Sequence, residues 1–278
     1  MRKIMTVLLS FMVGSIFALT AYGEEAYTHI SSLKNLSIEE LMDVEVELAS
    51  RKGVKYSDIP AAVYVITGED IRRSGALNIA EVLRMVPGLH VGKTDTDLWV
   101  ISSRGFSDTY SNKLLVQVDG RSIYTPLYSG VEWSKQNFML EDIDRIEVIR
   151  GPGASLWGAN AVNGISNIVT KNAKDTQGWL ISGGNGTYEK NFSSYRYGGN
   201  VNGDIYYRFY AEHNERRGYQ EDYEWKGWRS YRGGFRIDRD FHGEGALTIL
   251  GGLFLDEDVP LIKYSGQHIL GRLTKRFS

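Results

Sequence analysis

The sequence offers few residues in patterns that could carry out covalent chemistry. Ser31 and Lys34 have the S-x-x-K spacing of a serine nucleophile and its base, but no supporting motif accompanies them. The run Gly151-Pro152-Gly153 lacks the Lys-Ser/Thr pair that completes a phosphate-binding loop. The five histidines have no metal-ligand spacing, and the absence of cysteine excludes thiolate zinc sites, thiol nucleophiles and disulfides. We therefore predict that the chain is not an enzyme and has no catalytic residue, metal site or cofactor.

Composition separates the chain into two parts. Lys and Arg total 32 and Asp and Glu total 34, a balance that argues against a nucleic-acid binder. A hydrophobic fraction of 42% excludes a wholly disordered chain. Residues 173–278 contain 19 of the 33 aromatic residues and 17 of the 31 glycines. We predict two differently built parts that meet near residues 171–178.

The first 23 residues have the features of an export signal. Met1–Lys3 is basic, Ile4–Leu19 is an apolar run, and Ala21-Tyr22-Gly23 places small residues where a signal peptidase cleaves. The alternative is a membrane-anchoring helix, but a run of about 16 residues is short for a bilayer span of ~20. We predict a cleaved signal peptide over residues 1–23 and an exported mature protein.

Residues 24–54 form a short segment in front of the first domain. Apolar side chains alternate strictly along Asp43–Ala49, which is typical of an extended strand. Polar residues and Gly53 follow this strand. The pattern leaves two interpretations open, a separate N-terminal strand or an edge strand of the next domain.

Residues 55–172 alternate short helical and strand patterns. Thr67 and Asn78 have the spacing of helix N-caps, and Asp119-Gly120 indicates a hairpin. The predicted strands are 62–66, 99–102, 114–118, 143–148 and 165–170. The fold class predicted here is α+β, a small mixed sheet with short helices.

Residues 173–278 show wide antiparallel strand patterns. Along 205–212, apolar and aromatic side chains alternate with polar ones, and 229–238 and 247–255 repeat this pattern. Aromatic-rich segments of about ten residues joined by turns are the signature of a transmembrane β-barrel. A soluble β-sandwich or barrel is the alternative. We predict five or six strands, fewer than the roughly eight that the smallest closed barrel needs, and therefore an incomplete barrel.

Six stretches carry a resemblance to a known family. In order along the chain they are Ile59–Thr67, Glu81–Leu89, Ser103–Phe106, Leu114–Gly120, Ile143–Ala161 and Asn163–Lys171. Together they resemble the plug domain and first barrel strands of TonB-dependent outer-membrane receptors. One departure is Ser166, which stands where the family usually has a β-branched apolar residue, so that strand is expected to pack weakly or to face water.

The resemblance implies energy-coupled uptake through the outer membrane. In the family the plug blocks the barrel, and a scarce ligand such as a ferric siderophore, haem or a cobalamin-like molecule binds outside. A TonB-type energy transducer of the inner membrane then pairs with a short strand, the TonB box, and pulls. In this chain Glu45 and Glu47 interrupt the apolar run that the TonB box has in the family. The residues that resemble the TonB box are Asp43, Val44, Val46, Leu48 and Ala49.

The resemblance also implies roles for individual plug residues. Loops 92–98 and 124–133 would face outward, where their side chains either contact ligand or are simply exposed. Arg104 and Arg150 would pair with barrel carboxylates and lock the plug, or else be surface arginines beside turns. The ligand contacts implied are Asp95, Asp97, Tyr124, Tyr128 and Trp133.

The expected function is therefore a TonB-dependent receptor of the outer membrane, with the plug inside a barrel embedded in outer-membrane lipid. Such receptors have about 22 strands, and only 107 of the 278 residues follow Lys171, so we expect a truncated chain that does not transport by itself unless it assembles with others. One alternative is an outer-membrane signalling or ligand-binding protein without transport. Another is an exported β-rich enzyme, for which the sequence shows no convergent catalytic groups.

Overall fold

A computed structural model describes residues 62–275 apart from 96–97, 109, 126, 137, 152–156, 159, 219–226, 242–244 and 260–261. It also describes the backbone of two short strands, β1 (Glu45–Val46) and β2 (Val54–Lys55), which pair antiparallel. The predicted strand over Asp43–Ala49 includes β1. The predicted signal peptide and the TonB-box residues Asp43, Val44, Leu48 and Ala49 lie outside the described residues, as does Asp97.

The described residues of the predicted plug domain from Ala62 onward form two short helices and seven strands. Its helices are α1 (Gly68–Ser74) and α2 (Ile79–Leu83). Its strands are β3 (Ala62–Thr67), β4 (Leu89–Lys93), β5 (Trp99–Ser103), β6 (Leu114–Val118), β7 (Arg121–Ser122), β8 (Ile143–Arg150) and β9 (Gly164–Thr170). Three 3₁₀ turns lie at Trp133–Lys135, Leu140–Asp142 and Ala173–Thr176.

Local side-chain bonds set the ends of the helices. The Thr67 hydroxyl accepts from the Asp70 backbone N–H at 3.1 Å, and the Asp70 carboxylate accepts from the Thr67 N–H at 3.0 Å, which is the reciprocal capping box. Helix α1 ends at Gly75, whose φ of 68° suits glycine. Asn78 caps α2 in the same way, since its side chain accepts from the Glu81 N–H. Both predicted caps are confirmed. Among the described residues, no helix has the length and hydropathy needed to cross a bilayer.

Five strands of the plug domain form a mixed sheet in the order β3-β8-β9-β6-β7. The β6–β9 pair is parallel, and β6 turns into β7 through Asp119 and Gly120, whose φ angles of 49° and 78° are those of a tight hairpin. Helices α1 and α2 and the β4–β5 hairpin cover one face, where Ile79, Val82 and Leu83 join the main core. The predicted α+β fold is confirmed.

Ser166 lies in the middle of this sheet, between Val116 and Val148 on the neighbouring strands. Ser166 is 0% exposed, so the expectation that it faces water is wrong. Its hydroxyl has no hydrogen-bond partner among the described residues. A buried hydroxyl without a partner lowers the stability of the fold, because it loses its bonds to water and gains none in exchange.

We predict that Ser166→Ala raises the free energy of unfolding of the plug domain by about 1 kcal/mol. The substitution removes the unpartnered hydroxyl without adding volume. Ser102→Ala is the matched control, because Ser102 is equally buried but its hydroxyl is bonded to that of Ser107 at 2.8 Å. We expect Ser102→Ala to lower the stability. Thermal melts of the two variants would contradict the prediction if both shifted in the same direction.

Residues 178–275 form the large sheet, six strands that each pair antiparallel with the next along the chain. This confirms the predicted antiparallel strands. Strand β10 was not predicted as a separate strand. The strands are β10 (Gly178–Gly184), β11 (Glu189–Val201), β12 (Ile205–Arg217), β13 (Gly227–Asp240), β14 (Gly245–Val259) and β15 (Ile262–Lys275).

The large sheet has two chemically different faces. We call the face toward the plug domain the inner face and the opposite one the outer face. The inner face buries polar side chains such as Arg208, Arg232 and Asp256. The outer face exposes apolar and aromatic side chains, as expected for strands that meet lipid: Trp179, Ile181, Tyr195, Tyr197, Phe209, Tyr231, Leu253, Leu255, Ile269 and Leu273.

Candidate functional site

The plug domain meets the inner face of the large sheet through two clusters of buried charge. The first cluster is centred on Asp142, at the end of the 3₁₀ turn before β8. Its carboxylate lies 2.5 Å from the Arg196 guanidinium and 3.3 Å from that of Arg208, and all three side chains are buried. One plug carboxylate therefore joins β11 and β12 of the large sheet.

Arg208 and a further arginine of the large sheet, Arg236, hold the segment in which the plug domain passes into the large sheet. Arg208 donates to the Lys171 carbonyl at 2.6 Å, and Arg236 donates to the Thr170 hydroxyl at 2.7 Å. In return, the Ala173 N–H donates to the Asp238 carboxylate at 2.8 Å. Because the Lys171 carbonyl and the Ala173 N–H are backbone groups, the chain after β9 has a fixed path along the inner face.

The second cluster fixes the 3₁₀ turn Trp133–Lys135. Arg232 of β13 donates to the carbonyls of Ser134 and Lys135, at 3.2 and 2.9 Å. Its guanidinium also lies 3.1 Å from Asp256, which is fully buried. The Lys135 ammonium is 3.6 Å from the same carboxylate, so Asp256 compensates two buried cations.

Glu132 lies beside this second cluster, and its ionisation is disfavoured there. Burial raises the pKa of the Glu132 carboxyl, Lys135 opposes the rise, and the carboxylates of Asp256 and Asp258 add to it. An acid with a raised folded-state pKa contributes stability below its unfolded pKa of about 4.3, and that contribution is lost as the pH rises through the folded value.

We predict that Glu132→Gln becomes more stable relative to the unaltered chain as the pH rises from about 4 to about 7. Glutamine stays neutral, so it avoids the unfavourable burial of charge. Melting temperatures of both proteins across this range measure the effect. A difference in melting temperature that is constant with pH, or that favours the unaltered chain at neutral pH, would contradict this prediction. It would mean that the attraction between Glu132 and Lys135 offsets the effect of burial on the Glu132 carboxyl.

The expected ligand loops are only partly exposed. Asp95 is exposed, Tyr124 is half-buried, and Tyr128 stacks on Tyr110 with ring centroids 4.6 Å apart. The expectation that Trp133 is an exposed loop residue is corrected by the structure. Its side chain is only 6% exposed and packs in the main plug core. Its expected role as a ligand contact does not fit that burial.

The two arginines expected to lock the plug occupy different environments. Arg104 is exposed and has a positive φ of 57°. Arg150 donates to the Pro87 carbonyl at 2.7 Å, a contact inside the plug domain. Their pairing with barrel carboxylates stays a prediction. Arginines of the large sheet contact plug acceptors instead, as Arg196 and Arg208 contact Asp142.

Sequence reasoning missed Asp142, Arg196 and Asp256 as interface residues. The signal that could have found them is the recurrence of charge on the polar side of successive strands, where Arg196, Arg208 and Arg232 occur. The described residues contain no group of three or more His, Asp or Glu arranged to hold a metal ion. The two clusters together join the plug domain to the inner face through buried ion pairs and hydrogen bonds, and we call them the polar seal.

The described residues thus form a small α+β domain on the inner face of a long-stranded sheet with an apolar outer face, the arrangement of a plug domain and part of a β-barrel. Residues 55–165 match the family model described as the TonB-dependent Receptor Plug Domain. The match covers the part of the chain that sequence analysis predicted to be a plug domain.

Comparisons with curated proteins and with solved structures find similar chains. The vitamin B12 transporter BtuB of Vibrio vulnificus is 30% identical over 162 residues, 55% of this chain and 25% of the relative. The iron-regulated outer membrane virulence protein of Vibrio cholerae is 33% identical over 180 residues, 62% and 24% of the two chains. FpvA of P. aeruginosa, solved with a pyoverdine–iron complex, superposes with a TM-score of 0.66 at 17% identity, over 84% of this chain and 34% of that one. The chain thus spans about a quarter of the length of these two curated relatives.

Proposed function

We propose that this chain acts in energy-coupled uptake of a scarce ligand across the outer membrane. The observation that carries the proposal is the polar seal, in which buried ion pairs at Asp142 and Asp256 hold the plug domain against the large sheet. A plug that must move needs contacts that can separate, and ion pairs can exchange their partners for water. In this proposal, further strands complete the wall around the plug domain.

The proposed energy source is a TonB-type transducer that pairs with the β1 segment. An added strand binds through backbone hydrogen bonds, so the interruption of the apolar run by Glu45 and Glu47 is compatible with it. The candidate ligands are ferric siderophores, haem and cobalamin. The names of the two curated relatives, a vitamin B12 transporter and an iron-regulated protein, support this range.

The test is uptake by cells that carry or lack the gene for this protein. Cells starved of iron or cobalamin are given radiolabelled ferric chelates, haem and cobalamin in parallel, and surface binding and accumulation are measured separately. We expect gene-dependent accumulation of one class. Binding without accumulation would favour the alternative, a ligand-binding protein without transport. No gene-dependent binding of any of the three classes would overturn the proposal.

We predict that Val46→Pro in β1 lowers accumulation at least about 10-fold and leaves surface binding unchanged, because proline removes a backbone donor that strand addition needs. Val46→Thr is the matched control, since threonine keeps the N–H and favours extended backbone. Equal accumulation by the two variants would contradict coupling through this segment.

A further inference from the structure

One carboxylate on the inner face of the large sheet takes no part in the polar seal. Glu212 of β12 lies on the same face as Arg208, four residues before it on the strand. Its Oε2 atom is buried and has no hydrogen-bond partner among the described residues. The charges that act on it include Arg232 on the large sheet and Glu141 and Asp142 on the plug domain. Because an unpartnered buried oxygen is unfavourable and the two plug carboxylates repel it, Glu212 opposes the attachment of the plug domain.

Arg232 is the cation closest to Glu212 in the register of the sheet. The two residues are directly opposite each other on β12 and β13, a position in which Cβ atoms lie about 4.5–5.5 Å apart. The Arg232 guanidinium nevertheless uses its two terminal nitrogens for Asp256 and for the carbonyls of Ser134 and Lys135. Its Nε is buried and has no hydrogen-bond partner among the described residues. An unused donor and an unused acceptor thus occupy neighbouring positions on the inner face.

The bonds of Arg232 respond in two ways to a displacement of the plug domain from the inner face. Its bonds to the carbonyls of Ser134 and Lys135, at 3.2 and 2.9 Å, end on the plug domain and are lost when it moves. Its ion pair with Asp256 at 3.1 Å joins two strands of the large sheet and remains. Displacement therefore leaves part of the guanidinium without acceptors, beside the unpartnered oxygen of Glu212.

We propose that Arg232 exchanges partners when the plug domain is displaced, releasing the two plug carbonyls and bonding to Glu212. A charge-assisted bond to Glu212 replaces part of what the guanidinium loses. The departure of Glu141 and Asp142 also ends their repulsion of Glu212. Both effects favour the displaced state, so Glu212 lowers the free energy needed to displace the plug domain. The inference rests on the proposed function only in that the plug domain moves.

Asp256 shows what a carboxylate that holds the plug domain looks like. It is fully buried, pairs with Arg232, accepts from the Ser230 hydroxyl at 2.6 Å and lies 3.6 Å from the Lys135 ammonium of the plug domain. Glu212, on the other side of Arg232, has none of these contacts at its Oε2 atom. Two carboxylates that flank one arginine thus make opposite contributions, since Asp256 stabilises the attachment of the plug domain and Glu212 favours its release.

The test is hydrogen–deuterium exchange of the full chain in phospholipid nanodiscs, read at residues 132–136, the segment that Arg232 binds. We expect Glu212→Gln to slow exchange there by about 10-fold, because glutamine is neutral and offers the guanidinium no charged partner in the displaced state. Glu215→Gln is the matched control. Glu215 lies on the same strand but pairs with Lys190 and Arg229 on the outer face, so exchange at residues 132–136 should stay within about twofold of the unaltered chain.

A second pair of variants tests whether the effect of Glu212 acts through Arg232. Arg232→Met removes the guanidinium and leaves the Lys135–Asp256 pair in place. The comparison is between Arg232→Met and Arg232→Met/Glu212→Gln, so any loosening by the methionine substitution itself cancels. Without the guanidinium no exchange of partners takes place, and Glu212→Gln should then slow exchange by less than about threefold, the share that comes from removing an unfavourable charge.

Each outcome decides the proposal. Slower exchange in Glu212→Gln that depends on Arg232 supports it. Faster or unchanged exchange would overturn it, because Glu212 would then hold the plug domain in place or have no effect on it. Equal slowing with and without Arg232→Met would also overturn it, since Glu212 would be an unfavourable charge that takes no part in a partner exchange. None of these measurements involves uptake, so failure here and failure of the proposed transport function are distinguishable.

Discussion

Replacing Asp142 by Asn should loosen the plug domain from the large sheet by about 3–5 kcal/mol, because removal of one partner from a buried ion pair leaves the other charge uncompensated. Here two cations, Arg196 and Arg208, lose the carboxylate that compensates them. Hydrogen–deuterium exchange measures the effect directly. Amides of residues 140–144 and 170–176 should exchange faster, since Lys171 donates its N–H to the Asp142 carbonyl in this region.

Asp144→Asn is the matched control for this experiment. Asp144 lies two residues away, is more exposed and pairs with Arg145 within the plug domain. Exposed pairs contribute about 0–1 kcal/mol, so exchange should change little. Adding Arg208→Met to Asp142→Asn should recover part of the loss, because it removes one of the unpaired cations. Similar exchange in Asp142→Asn and Asp144→Asn would show that the seal does not depend on this carboxylate.

The features that sequence predicts well are local ones. The capping box of α1 depends on Thr67 and Asp70, which are three residues apart. Both residues are therefore visible within one short stretch of sequence. The two faces of the large sheet follow from alternation along single strands. Strand β10 was missed because its apolar residues, Trp179, Leu180 and Ile181, are consecutive and followed only by serine and glycine, so they show no alternation.

The interface could not be predicted in the same way. Arg196 and Asp142 are 54 residues apart, and Arg232 lies 97 residues from the Lys135 carbonyl that it binds. Alternation places an arginine on the polar face, but it does not identify the acceptor on another domain. The prediction for Trp133 was wrong for a related reason. An aromatic residue in a polar loop suggests an exposed ligand contact, whereas the 3₁₀ turn directs this side chain into the core.

Replacing Asp256 by Asn should weaken the attachment of the plug domain at the second cluster by a similar 3–5 kcal/mol. Asp256 is fully buried and compensates both Arg232 and Lys135, and it also accepts from the Ser230 hydroxyl at 2.6 Å. An asparagine side chain can accept some of these bonds but carries no charge. We expect faster amide exchange at residues 132–136, where the 3₁₀ turn is anchored.

Glu257→Gln provides the control for Asp256→Asn, because Glu257 is the next residue on β14 but pairs with Lys263 on the outer face. Its effect on residues 132–136 should be negligible. The ion pairs and hydrogen bonds described for the Asp142 and Asp256 carboxylates share no residue, so the two effects should add within about 0.5 kcal/mol in the double variant. A larger departure would mean that the plug domain leaves the large sheet as one cooperative unit, and that a pull on β1 must break both clusters together.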